Sequence, residues 1–339
     1  MFREHLMKIV SKIDLSETEM AEMMAEIFSG EITDAQIGAF MAGLATKGET
    51  FEELAGAARA MRRKAVRVQS SADTVVDTCG TGGDGAKTFN ISTTTALVVA
   101  GCGVTVAKHG NRSISSQCGS ADVLETLGVK LDTPPELVEE AIQEIGIGFL
   151  FAPLFHGAMR HAINARKSVG IRSIFNMLGP LTNPAAANCQ LLGVYAPELT
   201  EMFAQALLLL GTRRAFVVHG HDGLDEISIC AKTRVSELND GLIRTYDISP
   251  ELYFENLADP RDLEGGTPEV NAEITKNILE GKTKGPKQNI VALNSSAALV
   301  AAGKADDLKE GIQIAEKCIE EGKALEKLED LIRFTQDNG

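Results

Sequence analysis

The chain has 339 residues, of which 44% are hydrophobic and 24% are charged, and its formal net charge at pH 7 is -14. This length exceeds what a single small core needs, so we expect a globular protein of two domains. The negative charge repels nucleic-acid backbones and therefore predicts no nucleic-acid partner. An anionic ligand would have to be bound locally, by a few convergent cations.

The cysteines and the first residues of the chain predict a cytoplasmic protein. The six cysteines form no CxxC pair and none has zinc-ligand spacing to a histidine, so we expect reduced thiols. The N-terminal residues lack the basic and then apolar run of a signal peptide. The longest apolar stretch, 96–107, contains two glycines and is too short to span a bilayer, which predicts no membrane contact.

The first seventy residues predict a small helical domain, which we place at 1–70. Capping boxes precede three runs with helical apolar spacing. They are Ser16 with Glu19, Thr33 with Gln36, and Thr50 with Glu53. A stripe rich in methionine on the first of these helices favours a buried core or a dimer face over a partner groove.

From residue 74 the pattern changes to short β-branched runs that alternate with helical segments, at 74–76, 104–106, 149–151, 191–194 and 216–218. Such alternation predicts βαβ units and a mostly parallel sheet covered by helices, here an α/β domain over 71–339. Ligands of such sheets bind outside the carboxyl ends of the strands. The stretch 252–287 predicts loops with one short helix, followed by a helical tail from Asn294.

A glycine-rich loop follows the first strand and contains Gly80, Gly82, Gly83 and Gly85. It matches the G-x-G-x-x-G fingerprint of dinucleotide folds, but that fold needs an acidic residue after the second strand, where this chain has Lys108. It also approaches a P-loop, except that one extra residue precedes the lysine. The loop therefore predicts an anion cradle near a helix N-terminus, with a plain strand-to-helix turn as the alternative.

The residues after the second and fifth strands carry further polar chemistry. Two cations, an amide and several hydroxyls lie within 108–116, which suits a phosphate or diphosphate better than it suits a basic surface loop. After the fifth strand, the segment 219–226 ends in the adjacent carboxylates Asp225 and Glu226. Hard oxygen ligands of this kind suit Mg²⁺ held jointly with substrate phosphates, although an isolated Asp-Glu pair is also typical of a solvated turn.

Several segments in fixed order, spread over nearly the whole chain, together resemble the anthranilate phosphoribosyltransferase family. They are Gly80-Thr81-Gly82-Gly83-Asp84, Asn90-Ile91-Ser92-Thr93, Lys108-His109-Gly110-Asn111-Arg112, Gly119-Ser120-Ala121-Asp122, Ala158-Met159-Arg160 to Arg166, the run 174–184, and Gly223-Leu224-Asp225-Glu226. The resemblance implies a nucleoside phosphorylase/phosphoribosyltransferase-like fold. In that fold, the helical domain mediates a homodimer and forms one wall of a cleft, and helices near 135–170 pack on it.

The resemblance also implies a reaction, in which the amino group of anthranilate displaces diphosphate from phosphoribosyl diphosphate with the help of Mg²⁺, in tryptophan biosynthesis. Catalytic roles would belong to Lys108, Asp225 and Glu226, and Mg²⁺ would be held by Ser92 with the same two carboxylates. Anthranilate would contact Gly80, Asn111 and Arg166. Phosphoribosyl diphosphate would contact Gly80, Gly83, Asp84, Thr88, Asn90, Ile91, Ser92, Thr93, Lys108, His109, Gly110, Asn111, Arg112, Ser113, Ser115, Ser116 and Ser120.

Two other functions remain open on the sequence. A pyrimidine nucleoside phosphorylase shares the two-domain architecture but uses inorganic phosphate, and a nucleic-acid-binding relative of the fold would have lost catalysis. The chain also departs from the family at Gly157, where proline is usual. Glycine there is expected to loosen the turn that enters the helix of Arg166.

Overall fold

The N-terminal part of the computed structural model, which describes residues 1–113 and 117–338, is a group of four helices. They are α1 (Phe2–Val10), α2 (Glu17–Ser29), α3 (Asp34–Lys47) and α4 (Phe51–Lys64). All three predicted capping boxes are present, so each of the last three helices begins where a hydroxyl accepts a hydrogen bond from a backbone amide three residues on. Gly30 ends α2 in the left-handed conformation, which only glycine adopts without strain.

A seven-stranded sheet follows, in the order β3-β2-β1-β4-β5-β6-β7. Its strands are β1 (Val75–Gly80), β2 (Thr105–Gly110), β3 (Ile147–Phe151), β4 (Cys189–Gly193), β5 (Arg214–Gly220), β6 (Thr233–Asn239) and β7 (Leu242–Ile248). The five strands predicted from the sequence are the five parallel ones, whereas β6 and β7 add an antiparallel hairpin that the sequence analysis did not predict. The fold is therefore the predicted helical part joined to a mostly parallel α/β part.

Eleven further α-helices lie in the described part of the chain after β1. They are α5 (Ile91–Gly101), α6 (Ser120–Thr126), α7 (Pro135–Glu144), α8 (Ala152–Phe155), α9 (Arg160–Val169), α10 (Ile174–Met177), α11 (Leu199–Leu209), α12 (Pro268–Leu279), α13 (Pro286–Ala301), α14 (Leu308–Glu320) and α15 (Lys323–Asn338). The tail predicted to become helical at Asn294 begins earlier, because Pro286 occupies the first helical turn, where its missing N–H costs nothing. None of the described helices is long and apolar enough to cross a membrane.

The two faces of the sheet belong to different hydrophobic cores. On β4, Leu191 packs into the core formed with α5 and α13, while its neighbour Leu192 packs into the core shared with α2, α3, α4 and α11. This alternation follows from the two-residue period of a strand. Because Leu192 and the N-terminal helices share one core, these helices are joined to the sheet by a continuous apolar interior. Burial of a leucine side chain of this kind contributes roughly 1.5–3 kcal/mol to folding stability.

The helices between residues 135 and 170 divide between the two parts of the molecule. Helix α9 packs against α2 and α3, whereas α7 packs against β2 and β3. The reason is visible in the side chains: Val138 and Ile142 of α7 lie in a small core with Leu150 of β3. For α7, the prediction that these helices contact the helical domain was wrong.

Candidate active site at the carboxyl edge of the sheet

Three polar loops meet at one edge of the sheet because β1, β2, β4 and β5 run parallel. The glycine loop leaves β1, the second loop leaves β2, and the acidic pair follows β5. The chain builds outward from β1 to β2 and β3 and then returns to place β4 on the other side of β1. This reversal creates a crevice at the end of β1, which is where ligands of open α/β sheets bind.

The glycine loop is anchored at both ends and leaves its middle amides free. Thr81 donates its N–H to the Gly193 carbonyl at 2.9 Å, and Phe89 donates to the Leu263 carbonyl at 3.2 Å. Between these anchors Gly82, Gly83 and Gly85 have φ of +64°, +79° and +73°. Within the described residues, the amides of 83–85 have no hydrogen-bond partner, and successive free amides in such a turn form an anion-binding concavity.

The acidic pair lies against the glycine loop, and two glycines make room for it. A Cβ atom on Gly80 would lie 2.4 Å from an Oδ atom of Asp225, and one on Gly193 would lie 1.5 Å from the Asp225 carbonyl oxygen. The Asp225 carboxylate accepts the Gly82 N–H at 2.9 Å. Glycine is therefore required at Gly193, where the close atom belongs to the backbone, whereas a side chain at Gly80 would displace the Asp225 carboxylate.

Burial makes it unfavourable for both carboxyl groups of this pair to be ionised at once. Burial, followed by the charge of Asp84, raises the pKa of Asp225 to about 7. Burial and the charge of Asp225 also raise the pKa of Glu226, while Lys108 opposes that increase. Glu226 accepts a hydrogen bond from the Ser92 backbone, so the three predicted metal ligands are brought together.

The oxygen atoms of Ser92, Asp225 and Glu226 fit Mg²⁺ when the substrate supplies the remaining ligands. Two carboxylates and a hydroxyl are hard oxygen donors, and an adjacent divalent cation would relieve the repulsion that raises both pKa values. No cluster of three or more histidine, cysteine or acidic side chains that could hold a metal alone exists among the described residues. A complete site thus needs oxygen ligands from a bound phosphate compound.

Adjacent residues of β2 face opposite sides of the sheet. The Lys108 ammonium is buried, donates to the Thr78 carbonyl at 2.6 Å, and has its pKa lowered by that burial. His109 points the other way, with Nδ1 3.1 Å from the Gly179 carbonyl and Nε2 3.2 Å from Nε2 of His156. Lys108 and His109, both predicted contacts of the donor substrate phosphoribosyl diphosphate, therefore approach the edge from opposite faces of the sheet.

The carbonyl of Gly179 fixes the protonation of both histidines. A carbonyl only accepts, so His109 carries its proton on Nδ1 and its Nε2 must accept from His156. Burial lowers the pKa of His109 to about 3 and that of His156 to about 4, so both rings are neutral at pH 7. The sequence analysis assigned His109 to the site of phosphoribosyl diphosphate but did not identify His156 as its hydrogen-bond partner.

The N-terminus of α5 connects the first two loops. Asn90 occupies its N-cap position, but its side chain donates to the Cys118 carbonyl at 3.3 Å instead of capping the helix. Its Oδ1 also accepts from Asn271 at 2.9 Å. Ile91 and Thr93, two predicted contacts of phosphoribosyl diphosphate, are buried in the first turn of this helix. The Ile91 N–H is already donated to the Phe89 carbonyl at 2.8 Å, so of the two residues only Thr93 can offer its backbone amide at the positive end of the helix.

The second loop folds back on the start of α6. Asn111 donates its N–H to Ser120 Oγ at 3.2 Å, and a Cβ atom on Gly110 would lie 2.2 Å from that same oxygen. Arg112 is exposed and forms ion pairs with Asp122 and Glu125 on α6. The predicted contacts Ser115 and Ser116 lie outside the described residues, and Ser113 lies at the boundary, with its N–H donated to Asp122 at 3.1 Å.

The remaining predicted contacts lie on either side of the glycine loop. Thr88 forms an isolated bridge with Glu264, which pins the far end of the loop. Arg166, on the last turn of α9, is half-buried, with its guanidinium carbon 5.6 Å from the centre of the Phe175 ring. No carboxylate within the described part of the chain pairs with Arg166.

Arg172 and Tyr195 also contact the glycine loop, although the sequence analysis did not select them. The Arg172 guanidinium stacks 3.8 Å from the centre of the Tyr195 ring and donates to the Gly83 carbonyl at 2.8 Å. The Tyr195 N–H donates to Thr81 Oγ1 at 3.2 Å. No local pattern identifies either residue, because both reach the loop through tertiary packing.

Comparisons with known proteins agree with this geometry. Residues 3–65 match the helical bundle domain and residues 72–325 the a/b domain of a glycosyl transferase family. The chain is 71% identical to the anthranilate phosphoribosyltransferase of Desulfosudis oleivorans over the full length of both. A crystal structure of the Thermus thermophilus enzyme is 44% identical over 98% of this chain and 99% of that chain, with a TM-score of 0.93.

A second solved relative was captured with ligands. It is anthranilate phosphoribosyltransferase from Saccharomyces cerevisiae in complex with phosphoribosyl diphosphate and Mg, 30% identical over 99% of this chain and 98% of that chain, with a TM-score of 0.90. Full-length identity of this order, together with the shared two-part fold, is decisive for membership. The chain belongs to the anthranilate phosphoribosyltransferase family.

Proposed function

We propose that this protein transfers the phosphoribosyl group of 5-phosphoribosyl 1-diphosphate to the amino group of anthranilate, giving N-(5-phosphoribosyl)anthranilate and diphosphate, in L-tryptophan biosynthesis. The observation that carries the proposal is the meeting of free glycine-loop amides with the Asp225-Glu226 pair at the end of β1. A diphosphate carried with Mg²⁺ satisfies both the amides and the carboxylates. A nucleoside phosphorylase or a nucleic-acid-binding protein gains no support from the relatives reported above.

The donor is held by the edge of the sheet. Amides of the glycine loop and of the first turn of α5 bind its phosphate oxygens, and the hydroxyls of Ser113 and Ser120 extend the same cradle. Mg²⁺, when bound by Ser92, Asp225 and Glu226, supplies charge neutralisation for the departing diphosphate. Lys108 adds a fixed positive charge behind Glu226, within the same layer.

Anthranilate, the acceptor substrate, lies on the other side of phosphoribosyl diphosphate. Arg166 suits the planar carboxylate of anthranilate because a guanidinium offers two parallel donors. Asn111 and the backbone of Gly80 complete this site. The neutral amine of anthranilate then attacks the anomeric carbon, inverts it and loses its proton after the bond has formed, so no strong base is needed.

The neutral histidine pair suits this chemistry as a set of fixed dipoles. Burial lowers the pKa values of His109 and His156, so both rings are neutral at pH 7 and offer their dipoles to the site. Preorganised dipoles of this kind stabilise charge without reorganising during the reaction. Positioning two substrates across the cleft supplies much of the remaining rate enhancement.

The same proposal covers organisation and location. We treat residues 1–70 as the cleft wall and dimerisation domain and 71–339 as the catalytic domain. The exposed apolar side chains Met7, Val10 and Ile13 on and after α1 support a dimer through the helical part. The six free thiols support a cytoplasmic location. Light scattering of the wild type and of Val10→Asp tests the dimer, which should dissociate in the variant.

One assay tests the reaction directly. The protein is mixed with anthranilate, phosphoribosyl diphosphate and Mg²⁺, and the loss of anthranilate fluorescence is followed. The fluorescence should fall only when all three are present. Turnover with inorganic phosphate and a pyrimidine nucleoside, without loss of anthranilate, would instead establish the phosphorylase.

A further inference from the structure

The glycine loop is held on its outer side by a cation that has no acidic partner within the described residues. Arg172 lies between α9 and α10, three residues after the end of the helix that carries Arg166. Its guanidinium stacks on Tyr195 and donates to the carbonyl of Gly83, with Nη2 2.6 Å from the point where a Cβ of Gly83 would lie. The chain has a net charge of -14 and offers many carboxylates, yet this guanidinium binds a backbone carbonyl. We therefore expect the conformation of the glycine loop to be important for function.

The contact determines where the loop amides point. The C=O and N–H of a planar trans peptide project in opposite directions. Fixing the Gly83 carbonyl toward Arg172 therefore directs the N–H of Asp84 away from Arg172. Two peptides earlier, Asp225 accepts the Gly82 N–H at 2.9 Å, so the loop is held both by a cation and by a carboxylate.

Tyr195 makes this arrangement rigid. Its backbone N–H holds Thr81, the residue that begins the loop, and its ring carries the guanidinium that holds Gly83. Thr81 in turn donates to Gly193 at the end of β4. Arg172 thus connects the segment of the acceptor-binding helix to the donor-binding loop through a stacked, planar contact that lysine cannot reproduce.

We propose that Arg172 is a positioning residue for phosphoribosyl diphosphate, which holds the glycine loop with its 83–85 amides available to the diphosphate. The inference rests on the proposed function and assigns a role to a residue that makes no direct contact with the reacting atoms. Loss of the guanidinium frees the Gly83 peptide to rotate, so the amides must be ordered when the donor binds. The cost falls on donor affinity, and acceptor affinity is unaffected.

Steady-state kinetics of Arg172→Ala, Arg172→Lys and Arg244→Ala test this role. Arg244 is an exposed residue of β7, so its replacement removes the same charge far from the loop. Arg172→Ala should raise the KM for phosphoribosyl diphosphate about tenfold or more, the usual effect of a charge-assisted hydrogen bond, with the KM for anthranilate changed less than about twofold. Arg172→Lys should restore part of the donor affinity, and Arg244→Ala should match the wild type.

Donor binding measured without turnover separates this proposal from the general one. Titration calorimetry with phosphoribosyl diphosphate and Mg²⁺ should give a weaker affinity for Arg172→Ala at an unchanged melting temperature. An unchanged donor KM and affinity in Arg172→Ala, or equal increases in both KM values, would overturn the positioning role while leaving the reaction intact. A wild type that binds the donor but consumes no anthranilate would refute the proposed function instead.

Discussion

The buried histidine pair makes the stability of this protein depend on pH in a direction that the structure determines. In the fold, the pKa of His109 is about 3 and that of His156 about 4, against 6.5 for a free histidine. Below pH 6.5 the unfolded chain therefore binds more protons than the folded one. Stability contributed by the pair is complete above that pH and declines as the pH falls.

The expected size follows from the same values. Between pH 7.5 and pH 5.5, each ring should cost the folded state about 1.3 kcal/mol, or about 2.7 kcal/mol for the pair. Part of the reason is geometric: protonating His156 at Nδ1 buries a charge with no hydrogen-bond partner in the described part of the chain. The lower pH is kept above the isoelectric point of about 5.0 to avoid precipitation.

Urea unfolding at pH 7.5 and pH 5.5 measures how much unfolding free energy each protein loses on acidification, and the wild type is compared with a variant that lacks both histidines. His109→Asn/His156→Asn should be less stable at pH 7.5 but should lose about 2.7 kcal/mol less than the wild type on acidification. His221→Asn removes a histidine at an exposed position, outside the buried pair, and serves as the control. An identical pH dependence in the double variant and the wild type would refute the assignment of neutral, buried rings.

Three further perturbations address the site itself. Asp225→Asn/Glu226→Gln should reduce turnover at limiting Mg²⁺ by about a hundredfold or more while the calorimetric affinity for anthranilate survives; unchanged Mg²⁺ dependence would remove the pair from the metal site. Arg166→Ala should raise the KM for anthranilate about tenfold, whereas Lys167→Ala should not, and equal effects would show that Arg166 does not bind the acceptor. Gly193→Ala should lower the free energy of unfolding by at least about 1–3 kcal/mol, because its Cβ would lie 1.5 Å from the Asp225 carbonyl; thermal melting at the wild-type temperature would contradict this.

The sequence was sufficient where local rules decide the structure. Capping boxes depend on a hydroxyl and an acid or amide three residues apart, and all three predicted boxes are present. The five parallel strands and the edge at which their loops meet follow from the alternation of β and α segments. The opposite orientations of Lys108 and His109 also follow from the two-residue period of a strand, although the sequence analysis grouped both residues with the donor.

Contacts between distant segments lay beyond local rules. The β6–β7 hairpin was missed, because charged and polar residues interrupt the apolar pattern of the exposed strand β7. His156 meets His109 across 47 positions, and Arg172 meets Gly83 across 89, so neither pair has a characteristic spacing. Similarly, only the folded backbone shows that Gly193 must be a glycine, because Asp225 reaches it from the loop that follows the neighbouring strand β5.

The charges of the site imply that Mg²⁺ and the donor bind together. The charge of Asp84 raises the pKa values of Asp225 and Glu226, and the charge of Asp225 raises that of Glu226 further, which means that full ionisation of these carboxyl groups is unfavourable in the crevice. A diphosphate alone would add to that repulsion. A divalent cation held by Asp225 and Glu226 would turn both repulsions into attractions, and it would release the Gly82 amide to which Asp225 is hydrogen-bonded. Because affinities coupled in this way are reciprocal, Mg²⁺ must raise donor affinity by the same factor by which the donor raises Mg²⁺ affinity.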